Sequence, residues 1–149
     1  RYVLYEGIGT EVDLQKEIQH LSNYFQLQQW RFGEEMEITL DIDVEKNEES
    51  IAPLLLLPLV ENSFKHVGRN RTGLYAVRGK IRLLDGKMIF SLQNTIGEKS
   101  ALLNTPMSGG IGLVNLQKRL EILYPNRYYF NTLNTYNEFI AKLELQLKP

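Results

Sequence analysis

The hydrophobic period of this chain switches between Phe32 and Met36, and that switch restricts the fold more than any other feature. Before it, Leu14, Ile18, Leu21, Phe25 and Phe32 recur at near-helical spacing, supported by Tyr24 and Leu27. The spacing predicts an amphipathic helix from about Leu14 to Phe32, with Asp13 as N-cap, Glu17 in the first turn and Gly33 as the stop. After it, Met36, Ile38, Leu40, Ile42 and Val44 alternate with Glu37, Thr39, Asp41 and Asp43, the pattern of a half-buried strand. A helix with an apolar stripe and a strand with an apolar face each need a partner layer, so a layered α and β fold is expected.

The rest of the chain continues the alternation of types. Pro53 suits a first helical turn, and Pro58 breaks the pattern, so a helix with a break near Pro58 is predicted over Pro53 to Val67. Strands are predicted over Tyr75 to Leu84 and Lys87 to Asn94, with Asp85-Gly86 as a tight hairpin turn. Thr95 to Gly110 is poor in apolar residues and reads as a long functional loop. Leu113, Leu116, Leu120 and Leu123 then mark a helix stopped by Pro125. Two strands close the chain, Tyr128 to Leu133 and Phe139 to Leu147. The expected class is α+β, a two-layer sandwich with a mixed, mostly antiparallel sheet and helices on one face.

Composition excludes several functions. The 149 residues are enough for one domain with a substantial core. A net charge of −1 lacks the basic excess of a broad nucleic-acid footprint, so no nucleic-acid partner is expected. The absence of cysteine excludes a disulfide framework and a cysteine zinc site. The longest apolar stretch, Ile51 to Val60, falls short of the roughly 18 residues of a membrane span, so this fragment is expected to make no direct membrane contact.

Three constellations carry chemical potential. The first is Leu59-Val60-Glu61-Asn62-Ser63-Phe64-Lys65-His66, where Asn62 and His66 share one helical face and Glu61 and Lys65 the next. An amide oxygen suits a hard cation such as Mg²⁺, and a lysine meets phosphate as a point charge. A solvated polar helix face is the plain alternative. The second is Ser108-Gly109-Gly110-Ile111-Gly112-Leu113, where glycines precede a helix start and would let phosphate approach free N–H groups. It is neither a Walker A loop nor a dinucleotide fingerprint. The third is Gln93-Asn94-Thr95-Ile96-Gly97, a polar strand end beside a glycine that could read an adenine edge or simply end a strand.

In their order along the chain, these pieces resemble the catalytic domain of the GHKL ATPase superfamily. LVENSFKHV is similar to its N box, and GGIGLVNLQKRLEILYP to its G2 box and following helix. LQKEIQHLSNYFQLQQWRF is similar to the Leu-x-x-Glu helix, ending in Arg-Phe, of LytS-type sensor histidine kinases. The resemblance covers nearly the whole chain. It implies a Bergerat-type sandwich over residues 11–149 that holds ATP and Mg²⁺, with residues 1–10 as the end of an upstream dimerisation helix and a joint. It makes Asn62 the Mg²⁺ ligand and Glu61 the catalytic residue that orients or activates the reacting group. Lys65 and His66 lie near the phosphates in this reading. Gly110, Ile111, Gly112, Leu113 and Asn115 close the phosphate site, and Thr95 to Ser108 forms the ATP lid. Asn94 and Gly97 stand in the adenine-reading box, where the family normally carries an Asp; an Asn accepts through oxygen but brings no charge.

The implied reaction is transfer of the ATP γ-phosphoryl group to a histidine on an upstream segment, since neither His20 nor His66 fits the acceptor role. The implied partners are that upstream dimerisation segment, in a full-length homodimer, and a cognate response regulator of a two-component system. The implied setting is the cytoplasmic side of an inner-membrane sensor. A GHKL-fold interaction module with weak or no nucleotide binding is the alternative. A GHKL ATPase that drives conformational change is disfavoured by the LytS-like first helix and the short chain.

Overall fold

A computed structural model describes residues 11–98 and 111–148. A two-residue strand, β1 (Val12–Asp13), leads into α1 (Leu14–Phe32), and a 3₁₀ turn (Gly33–Glu35) follows. Then come β2 (Glu37–Asp43), β3 (Ser50–Ile51), α2 (Leu57–His66), β4 (Ala76–Leu84), β5 (Lys87–Thr95), α3 (Ile111–Leu123), β6 (Tyr128–Asn134) and β7 (Glu138–Gln146). The order of the main sheet is β2-β4-β5-β7-β6. Its β2–β4 pair is parallel and the other three are antiparallel, so the sheet is mixed and mostly antiparallel as expected.

Register explains why only one face needs helices. Ile38, Val77, Asn94 and Phe139 lie side by side across the strands, as do Leu40, Gly79, Leu92 and Ala141, and then Ile42, Ile81, Phe90 and Leu143. In β4, β5 and β7 these rows are buried. A Cβ placed on Gly79 would meet Phe25 of α1 at 3.2 Å, so α1 covers this face closely. The buried residues of α1, α2 and α3 join the same core. On the opposite face, charges pair across strands: Arg78 with Glu37, Lys80 with Asp41, Arg82 with Asp43, and Lys87 with Glu144. These exposed pairs keep the face solvated and contribute little stability.

α1 and Gly33 occur where the periodicity places them. Asp85 (φ 50°) and Gly86 (φ 76°) both adopt the left-handed region, which a two-residue turn with primed geometry requires. Three details differ from expectation. Asp13 occupies the N-cap position but makes no side-chain cap bond, because it is also the end of β1, paired with β3. Helix α2 starts at Leu57 rather than Pro53, since Leu54 turns to φ 54° and breaks the helical path. Leu123, the last member of the predicted α3 stripe, is 42% exposed; the chain turns there, and Tyr124 takes the buried position instead.

Candidate nucleotide-binding site

Among the described residues, the buried polar and charged residues are Glu17, Asn62, Ser63, Asn94 and Thr95. Four of them lie on α2 or at the end of β5, elements that pack against each other. Buried polar groups are costly unless partnered, so their concentration at one end of the core marks a place built for something other than packing.

Helix α2 divides its polar residues. Asn62 and Ser63 are buried, whereas Glu61 and Lys65 are exposed and His66 is half-buried. Phe64 anchors the helix by packing against Tyr24, Phe25 and Phe32 of α1. The Glu61 carboxylate lies within electrostatic reach of Tyr24: burial first, and then Glu61, pushes the Tyr24 hydroxyl pKa up, while Arg31 opposes the rise. Burial, with the neighbouring Lys65 ammonium, pushes the His66 imidazole down from its ordinary value. His66 is therefore neutral at neutral pH and leaves Lys65 as the positive group at this helix end.

At the end of β5, the Asn94 Nδ2 donates to the Thr95 carbonyl at 3.1 Å. A carbonyl only accepts, so that contact fixes the amide with its oxygen turned away. The Asn94 Oδ1 is buried and meets no donor among the described residues. It is a preset acceptor, which suits the exocyclic amine of adenine, and the residues present thus fit a nucleotide base. Thr95 accepts from the Ala76 amide through its hydroxyl at 3.0 Å, tying β5 to β4 at this point.

The end of α2 and the end of β5 meet through two glycines. The Gly68 amide donates to the Thr95 carbonyl at 2.9 Å. A Cβ on Gly68 would stand 2.9 Å from the Gly97 backbone nitrogen, closer than real side chains approach. Gly68→Ala is therefore expected to cost about 1–3 kcal/mol by forcing these backbones apart, measurable by urea denaturation. Gly68 was not among the residues expected at the site; its position directly after the helix was the available signal.

At the start of α3, Ile111, Gly112 and Asn115 are exposed. Among the described residues, nothing lies within 4 Å of where a Gly112 Cβ would stand. The Leu113 side chain is in the core, so a role toward a ligand falls to its backbone. Gly110 and most of the expected lid lie outside the described residues.

Residues missed by sequence reasoning hold the approach to α2. The run Ile-Ala-Pro-Leu-Leu-Leu before the helix contains no polar side chain, so its backbone groups need partners from elsewhere. The Ala52 amide donates to the Tyr124 hydroxyl at 2.9 Å. Arg119 donates to the Pro53 and Leu54 carbonyls. The Leu54 and Leu55 amides each donate to a carboxylate oxygen of Glu17 at 3.0 Å.

A mixed sheet with helices on one face, and an Asn-bearing helix set against the end of its central strand, define a histidine-kinase-type catalytic fold of the GHKL class. The catalytic domain of the histidine kinase ThkA, nucleotide-free, superposes with TM-score 0.60 at 17% identity over 94% of this chain and 97% of that one. Full-length ShkA in complex with AMPPNP gives 0.61 at 14% identity, covering 92% of this chain and 30% of that chain. ThkA in complex with the response regulator TrrA gives 0.60 at 18% identity, covering 94% and 42%. In sequence, the chain is 30% identical to the sensor histidine kinase YesM of Bacillus subtilis over 78% of its length. It is 31% identical to the sensor protein LytS of Staphylococcus epidermidis, again over 78%. It spans about a fifth of each of these relatives (20% and 21%). No protein-family model matches. In sequence and fold together, the chain resembles the catalytic domains of LytS-type sensor histidine kinases.

Proposed function

We propose that this domain binds Mg-ATP between α2, the end of β5 and the start of α3, and serves the phosphorylation of a histidine on an upstream segment. The observation that carries the reading is the buried, preset Asn94 Oδ1 beside the N-box helix. Asn94 would accept from the adenine amine, and Gly97 would let the ring approach the backbone. Asn62 would hold Mg²⁺, Lys65 would meet phosphate charge, and the N–H groups at the start of α3 (Gly110 to Leu113, with Asn115 beside them) would receive the phosphates. Glu61, exposed on the same helix, would orient the attacking imidazole. When bound, Mg-ATP supplies the γ-phosphoryl group and neutralises its charge; the bond to the β-phosphate oxygen breaks as the bond to the imidazole nitrogen forms.

The relatives support the remaining assignments. The complex of ThkA with the response regulator TrrA supports a response-regulator partner; a homodimer through an upstream segment and a cytoplasmic position below a membrane sensor complete the proposal. No helix among the described residues is long and apolar enough to cross a membrane. The competing reading is an interaction module of the same fold, and it draws on the neutral Asn94 in place of an acid.

Calorimetric titration with Mg-ATP separates the two readings. Measurable binding, weakened roughly fivefold in Asn94→Leu by loss of one hydrogen bond worth about 1 kcal/mol, supports the nucleotide site. Absence of heat and of thermal stabilisation at millimolar nucleotide, in folded protein, favours the interaction module.

A further inference from the structure

The segment that launches α2 is held from two sides. Glu17 reaches from α1, and Arg119 and Tyr124 reach from α3 and the residue after it. Glu17 is the buried charged member, with 1% of its surface exposed, and its two oxygens accept from consecutive amides, Leu54 and Leu55. Those amides sit at the one left-handed residue of the segment, Leu54 at φ 54°, a conformation that a leucine does not hold unless its surroundings impose it. Helix α2 begins three residues after Leu54 with no side-chain cap of its own: its N-cap is Leu56, and Pro58 lies in its first turn. The direction of α2, and with it the position of Asn62 in the second turn, is therefore set by what fixes Leu54 and Leu55.

We infer that Glu17 is a positioning residue for the nucleotide site: its carboxylate holds the Leu54–Leu55 turn and thereby places Asn62. The inference rests on the Mg-ATP reading for its consequence, though its structural half stands apart from nucleotide. Glu17→Gln sets an NH₂ group against one of the two amide donors, leaving a donor facing a donor in a buried place. The side chain keeps its size, so packing is retained.

The test combines two measurements on the domain as it stands. In the absence of nucleotide, amide hydrogen exchange at Leu54 and Leu55 and the Asn62 side-chain resonances are compared between wild type and Glu17→Gln. Faster exchange with shifted Asn62 resonances is expected. Mg-ATP affinity is then measured for wild type, Glu17→Gln, Asn62→Ala and the double variant. Glu17→Gln is expected to weaken binding on the order of tenfold through lost preorganisation, and to add little once Asn62 is gone, because the two act through one contact. Unchanged exchange and resonances, unchanged affinity, or fully additive losses would overturn the inference. Should Glu17→Gln not fold, Glu17→Asp, which keeps the charge but is too short for both amides, is held to the same outcomes. If wild type binds no Mg-ATP, the nucleotide reading fails, while the exchange and the Asn62 resonances still decide what Glu17 does.

Discussion

Asn62→Ala will weaken Mg-ATP binding on the order of a hundredfold and abolish the benefit of Mg²⁺. Loss of groups that merely support a metal ligand typically costs ten- to a hundredfold, and in the proposed reading Asn62 is the ligand itself. The side chain is 7% exposed on a helix whose neighbouring turn is anchored by Phe64, so truncation removes the amide without releasing the helix. Titrations with ATP in Mg²⁺ and in EDTA make the check specific. In wild type the two affinities should differ widely; in Asn62→Ala they should converge near the wild-type EDTA value. Equal losses under both conditions would assign Asn62 to the architecture of the helix rather than to the metal.

The second large effect concerns stability. Phe90→Ala should destabilise the domain by about 3–5 kcal/mol, the range for a buried phenylalanine whose cavity cannot fully collapse. Phe90 is fully buried in the central strand β5, between Ile81 of β4 and Leu143 of β7, with Met88 and Leu92 on the same face. Its neighbours are held by ladders on both sides, so inward relaxation is restricted. In a domain of this size the thermal midpoint should fall on the order of 10 °C. Lys80→Ala on the opposite face serves as the contrast. Its 3.6 Å contact with Asp41 is solvated, and a change within about 0.5 kcal/mol is expected. Comparable losses from the two substitutions would mean that the core is not on the face described.

The preset Asn94 oxygen bears on how an asparagine serves where an acid is the rule. The Thr95 carbonyl receives both the Asn94 amide and the Gly68 N–H. An Asp at position 94 would surrender the first of these bonds and put a carboxylate against a carbonyl. The neutral amide gains local order and keeps one acceptor, which the proposed base would use.

The sequence by itself determined what depends on near neighbours. The stripe from Leu14 to Phe32 needs only its own helical repeat, and the alternation from Met36 to Val44 only its own pleat. Asp85-Gly86 announces its turn because few other pairs accept two left-handed residues in succession. The helix that carries Asn62 was legible because its polar groups crowd one short stretch beside an apolar side. Tertiary structure alone decided which distant groups meet. Glu17 looked like an ordinary first-turn acid, yet it lies buried against Leu54 and Leu55, because an apolar, proline-bearing run must borrow an acceptor and only the folded core brings one near. Gly68 is needed because it meets Gly97, a residue far along the chain, and not because of its own conformation. The parallel placement of β2 beside β4 likewise follows from the crossover through α2. Periodicity reports which side of an element is wet; it does not report what stands on the dry side, and at this site that is what places Asn62.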